Sequence, residues 1–403
     1  MKLKLTLFVA NLLAIMFFIL NISFATTYYI RPTGNNTKNG TSPTTAWLNL
    51  TNVNSKVFVA GDIIYLEQGF TYTGNIYFDP SDGGTAANPV AITSWNPNGA
   101  ITGRATINSG TNTAFYAHNS GGIKITDLNF IGSTSANDGI AFYCDLAGNA
   151  KKDYVYIENV DVQGYKNGLG LGSWAGTAGY TNVTVRNSIF HDNVRTGLAT
   201  YAQGRLSHLN VNVSYCKAYN NFGDLTVTTK NTGSGIILSG VDGGKIDHCI
   251  AYNNGQNNRN TGGGPVGIWC YEANNVIIEY NESYDNDAGL NLDGGGFDID
   301  GGSTNCIMQY NYSHNNEGPG YLFAQFQGSS VTMNNNICRY NLSVNDARKN
   351  TSGAIYFWAA GGFSITNTYV YGIPFMLPLH LGQQVEFISP QVQILPIPKS
   401  TTT

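Results

Sequence analysis

A four-residue pattern recurs five times in the second half of the chain: Tyr215-Cys216-Lys217-Ala218, His248-Cys249-Ile250-Ala251, Tyr280-Asn281-Glu282-Ser283, Tyr310-Asn311-Tyr312-Ser313 and Tyr340-Asn341-Leu342-Ser343. The steps between its second residues, from 216 to 249, 281, 311 and 341, are 33, 32, 30 and 30. A near-constant step of this length marks a repeat architecture, in which one turn of chain is laid on the one before. Between the markers lie short alternating stretches such as Val276-Ile277-Ile278 and Gly353-Ala354-Ile355-Tyr356-Phe357, broken by Asn, Asp and Gly clusters. No apolar spacing of three and four persists long enough for a helix. Strands of about five residues, repeated roughly every thirty, predict an all-β chain wound as a parallel β-helix, each coil pairing with the coils above and below. Asn281, Asn311 and Asn341 then stack at one corner in a structural role.

The chain of 403 residues holds 48 Gly and 25 Tyr but only 11% charged residues, a turn-rich composition poor in helix formers. The net charge of −4 and the lack of a long basic run exclude nucleic acid as the expected partner. Residues 1–25 carry Lys2 and Lys4, an apolar stretch from Leu5 to Leu20, and Ser23-Phe24-Ala25, a small-x-small cleavage pattern. This reads as a secretory signal peptide, with the mature chain beginning near Thr26, a secreted or cell-surface location and no membrane span after cleavage; the apolar stretch is short for a retained anchor. Cys216 and Cys249 occupy the column filled by Asn in later coils, and Cys270 falls on an inward strand position. Most of the six cysteines therefore read as small interior packers, with a disulfide as the alternative.

Tyr28-Tyr29-Ile30-Arg31-Pro32-Thr33-Gly34-Asn35, Gly40-Thr41-Ser42 followed by Trp47, and Gly61-Asp62-Ile63-Ile64 resemble the N-terminal region of secreted right-handed parallel β-helix proteins of the pectin-lyase-like superfamily. With the repeats, the resemblance covers roughly residues 28–371. It implies a single-stranded right-handed solenoid and a carbohydrate ligand, and it spans lyases, hydrolases, epimerases and non-catalytic adhesins. The expected organisation is an N-terminal cap and first strands over 26–106, coils over 107–371, and an irregular tail over 372–403. The tail holds Pro374, Pro378, Pro390, Pro396 and Pro398 and reads as a loose end or the product of truncation or a frame change. A monomer is expected.

One strand aligns across eight coils through its leading glycine: Gly139, Gly168, Gly197, Gly235, Gly267, Gly296, Gly320 and Gly353. The first and third positions after it are mostly apolar and point inward; the second and fourth must then point outward. The outward set includes Trp269, Tyr271, Asp298 and Asp300, with Tyr356 and Trp358 near the end. Aromatic surfaces beside carboxylates suit sugar rings, which offer C–H faces and hydroxyls. A small second core under loops, or a turn that binds Ca²⁺ or caps backbone, is the competing structural reading. Asp298 and Asp300 lie two residues apart on one strand, their α-carbons about 6.6 Å apart, near the spacing of an inverting glycosidase pair. Two carboxyls this close drive their pKa values apart, as an acid and base pair requires. Glu317 and Asp293 each precede an aligned glycine by three residues and are further carboxylates for the same lip.

The leading expectation is thus a polysaccharide hydrolase with Asp298 and Asp300 as catalytic pair and Glu317 in reserve. Trp269, Tyr271, Tyr356, Trp358, Arg259, Lys230 and Arg348 are its substrate-binding residues, and no cofactor is required. The resemblance also implies an alternative, a Ca²⁺-dependent polyuronate lyase or epimerase, with Asp293, Asp298 and Asp300 holding the ion and Lys230 or Arg259 as base. A glycan-binding protein without catalysis is the third reading. His248 and His314 fall in columns of tyrosines and are expected to stack; no zinc spacing, nucleophile elbow or phosphate loop occurs.

Overall fold

A computed structural model describes residues 25–290, 293–349, 352–360 and 362–376. The leader read over 1–25 lies almost wholly outside these residues, as does most of the tail read over 372–403. Among the described residues the chain forms three long parallel sheets of 12, 11 and 10 strands, wound as a three-sided solenoid. Short strands need only a few apolar residues per coil, because each pairs in register with its equivalents in neighbouring coils.

The inward column of the ten-stranded sheet runs Ile140, Leu169, Leu198, Ile236, Ile268, Phe297, Tyr321 and Ile355, each paired with the next. This is the register read from the glycine-led alignment. Those glycines answer to close packing at a corner: a Cβ at Gly267 or Gly296 would lie 2.0 or 2.2 Å from the Oγ of Ser283 or Ser313. All six cysteines are buried and free.

The Asn column sits where the chain passes from the twelve-stranded to the eleven-stranded sheet. The N–H and Nδ2 of Asn281 both donate to Asn311 Oδ1 at 3.0 Å, and those of Asn311 donate to Asn341 Oδ1 at 2.8 and 3.0 Å. The residue just before each marker, at Tyr215, His248, Tyr280, Tyr310 and Tyr340, takes a left-handed φ of 53–57°. Its ring packs on the next ring of the column, with centroids 4.7–5.4 Å apart. His314 likewise stacks on Tyr284. A second ladder, not foreseen, runs through Asn193, Asn221, Asn254, Asn286 and Asn316 and ends on Asp346.

The segment read as cap and first strands, over 26–106, already supplies rungs to all three sheets, beginning with Thr27–Ile30. Trp47, stacked on Tyr28 at 5.2 Å, covers this end of the core.

Candidate active site

The outer face of the ten-stranded sheet carries a cavity of about 630 Å³. Its floor is two outward columns of the sheet. In one, Trp269 pairs with Asp298, Asp298 with Leu322 and Leu322 with Tyr356; in the other, Asp300 pairs with Ala324 and Ala324 with Trp358. Tyr271 adjoins this second column, its ring stacked on Trp269 at 5.2 Å. Tyr356 and Trp358, 40% and 43% exposed, form one end. The opposite wall comes from two loops, Thr229-Lys230-Asn231 and Asn260 to Gly264, with Asp293 at the lip and Phe326 beside the floor. These loops fall within the 33- and 32-residue steps, the two longer of the four steps between the five markers.

The three aspartates sit in unequal surroundings. Asp298 is only 2% exposed, enclosed by its cross-strand neighbours Trp269 and Leu322, and its Oδ1 has no hydrogen-bond partner. Burial, then the charges of Asp300 and Asp293, push its carboxyl well above the usual range. Asp300 is partly open to the cavity; burial pushes it up to about 8, although the Gly301 N–H donates to its Oδ1 at 2.7 Å. Asp293 is also raised by burial, opposed by the Gly264 N–H, which donates to its Oδ2 at 2.6 Å. The indole N–H of Trp269 is a second unpartnered buried polar group here. Each such group costs about 1–3 kcal/mol, and native structures hold few of them.

Trp269, Tyr271, Asp293, Asp298, Asp300, Tyr356, Trp358 and Lys230 are therefore brought to one cavity, whereas Glu317, Arg259 and Arg348 do not line it. Glu317 occupies the same turn position as Asp293 but in a shorter turn, pinned by Gly318 N–H to Gly294 O. Its Oε2 accepts from the Ala288 N–H at 2.8 Å and pairs with Lys349 at 3.0 Å, which uses the carboxylate structurally. Arg348 donates to Asn315 O and faces Asp285. Asn260, next to Arg259, lines the cavity instead. Asp293, Asp298 and Asp300, read as the alternative Ca²⁺ ligands, all line the cavity, and among the described residues no group of three His, Cys, Asp or Glu side chains lies close enough together to hold a metal ion. Asn231, Asn260 and Phe326 were missed because loop residues outside the repeat carry no periodic signal.

Residues 224–372 match the family described as "Right handed beta helix region". A lacto-N-biosidase from Bifidobacterium longum subsp. longum is 28% identical over 191 residues, covering 41% of this chain and 11% of that protein. The structure of a GH136 lacto-N-biosidase from Eubacterium ramulus superposes with a TM-score of 0.64 at 16% identity, over 87% of this chain and 64% of that one. Pectate lyase Pel9A gives a TM-score of 0.47 at 18% identity, over 86% and 79%. The chain thus spans about a tenth of the curated relative and under two thirds of the E. ramulus structure. Among the described residues no helix is long and apolar enough to cross a membrane. Three in-register parallel sheets, the family match and the E. ramulus superposition agree on one architecture: the chain folds as a right-handed parallel β-helix.

Proposed function

We propose that this protein is an exported glycoside hydrolase that takes a glycan into the cavity on the outer face of the ten-stranded sheet. The observation that carries the reading is the convergence of three unequally buried aspartates on one aromatic-walled cavity. Similarity to the two lacto-N-biosidases supports an oligosaccharide as the substrate.

Hydrolysis of a glycosidic bond needs one protonated and one ionised carboxyl. Burial holds the Asp298 carboxyl well above the usual range, and at 2% exposure it is less open to a substrate than Asp300 or Asp293. Asp300, at about 8, remains protonated and reaches the cavity, which suits it to donate to the leaving oxygen. Asp293 is the group whose charge acts on both others; burial raises its carboxyl too, but the Gly264 hydrogen bond opposes that shift. It serves as the ionised partner in place of Asp298. Trp269, Tyr271, Tyr356 and Trp358 give the sugar rings apolar faces.

Asp300→Asn and Asp293→Asn should each lower kcat/KM on a responsive oligosaccharide by about 10²- to 10⁴-fold. The wild-type rate should fall as pH rises through about 8, as Asp300 loses its proton. Full turnover in both variants ends the assignment. A lyase reading keeps one supporting observation, since burial eases deprotonation of the cavity-lining Lys230; an unsaturated, ultraviolet-absorbing product would favour it over hydrolysis. Export is tested by sequencing the N-terminus of the secreted chain.

A further inference from the structure

The turn that follows Asp300 is held from the coil before it, the coil after it and a loop further back. The Gly301 N–H donates to Asp300 Oδ1 at 2.7 Å, and the Gly301 carbonyl accepts from the Glu272 N–H at 2.8 Å. Phe326 covers the same glycine, since a Cβ at Gly301 would lie 2.5 Å from its ring. Gly302, at a left-handed φ of 72°, packs on the Glu272 carboxylate, which a Cβ there would meet at 2.5 Å. Glu272 Oε1 reaches past this turn and accepts from the Ser330 N–H at 2.6 Å, which ties down the loop that carries Phe326 to the cavity. Gln325, fully buried at the start of that loop, accepts the Met333 N–H at 2.8 Å through Oε1 and donates to Ser329 Oγ through Nε2.

Arg205 reaches the same turn from 97 positions away, on the loop between the strands Thr196–Ala202 and His208–Ser214. Its Nε donates to Gly302 O at 3.1 Å, and its Nη2 donates to Ala273 O at 3.2 Å and to Thr304 Oγ1 at 2.8 Å. Glu272 Oε2 lies 3.8 Å from the guanidinium, is buried and has no hydrogen-bond partner. A buried ion pair is weak support for stability, and a carboxylate oxygen without a hydrogen bond lowers it. Holding the turn of Asp300 supplies the reason that stability does not. Neither Glu272 nor Arg205 lines the cavity itself.

The titratable groups that face Asp300 are Asp298 on its own strand, Asp293 at the lip, and Tyr271 and Glu272 on the coil before; the coil after presents Ala324 and Phe326, which carry no charge, and Lys230 stands on the opposite wall. Glu272 is faced by Asp300 and Arg205.

We infer that Glu272 and Arg205 are positioning residues, a clamp behind the cavity that fixes the Gly301-Gly302 turn and the Phe326 wall so that the Asp300 carboxyl is held in one orientation. The inference rests on the hydrolase reading above and adds residues that act through Asp300.

The test compares wild type with Glu272→Ala, Glu272→Gln and Arg205→Met for kcat and KM across pH on a responsive oligosaccharide. Asp300 is also titrated directly through the carbon-13 carboxyl resonances of labelled aspartate, assigned with Asp300→Asn. Glu272→Ala and Arg205→Met should each lower kcat by about ten- to a hundredfold with KM little changed, the effect of a displaced reacting group. Glu272→Gln keeps an acceptor for the Ser330 N–H and should restore most of kcat, while the high-pH fall of the rate and the titration of Asp300 both move to lower pH, since a neighbouring negative charge is gone. Unchanged kcat in Glu272→Ala and Arg205→Met overturns the inference. So does a loss of kcat that follows the melting temperature while the Asp300 titration stays where it was. If the wild type cleaves no glycan, the hydrolase reading falls and the direct titration decides the clamp: a shift in Glu272→Gln supports it and an unmoved resonance overturns it.

Discussion

The asparagine ladders and the aspartate cavity are both made of buried polar side chains on the same coils, yet they differ in one respect. In the ladder each Asn meets its own counterpart one coil away: Asn311 accepts from Asn281 and donates to Asn341 Oδ1 and Ile278 O, all at 2.8–3.0 Å. At the cavity the neighbour of Asp298 one coil back is Trp269 and one coil forward is Leu322, and neither satisfies its Oδ1. Repetition satisfies polar groups and stabilises the solenoid; a break in repetition leaves polar groups exposed to a ligand at a cost in stability.

The contrast predicts that rate and stability separate by region. The largest effect expected is the 10²- to 10⁴-fold loss of turnover in Asp300→Asn, with its melting temperature kept or raised. A matching drop in melting temperature would put Asp300 on the structural side.

Next in size, Asn311→Ala should destabilise by about 2–3 kcal/mol in urea unfolding, because it strands the Asn281 N–H and the Ile278 carbonyl together. A neutral result would mean that the ladder satisfies those groups some other way.

The cavity should reverse that sign. A carboxyl whose folded pKa is raised adds stability fully present below its unfolded value near 4 and lost as pH rises through the folded value. Asp300 places the loss between about pH 4 and about 8, and Asp298 adds to it in the same direction. Asp298→Asn should therefore match the wild type at pH 3 and be the more stable of the two at pH 7; parallel stability curves would contradict the burial argument. The smallest effect expected is in Tyr310→Ala, half-exposed within its stack, at about 0.5–1 kcal/mol. A larger loss would make the aromatic column, rather than the Asn ladder, the principal clamp of that corner.

Much of the coil was legible. The inward column from Ile140 to Ile355 and the outward placement of Trp269, Tyr271, Asp298 and Asp300 follow from strand alternation and a constant step. The first coils were not, because the spacing between Tyr28 and Gly103 is irregular and their pairing shows only once the partners lie alongside. Glu317 and Asp293 share a position relative to the glycine, and local sequence did not separate the one tied to Lys349 from the one at the cavity.

The sequence by itself determined the solenoid, its register and which side chains leave its outer face, since these depend on a two-residue alternation and a thirty-residue step that are both local to the chain. Only the tertiary structure decided how deeply each aspartate is covered and which loops wall the cavity. Those properties depend on residues one or more coils away, so packing between coils, rather than any single coil, sets the chemistry of the site.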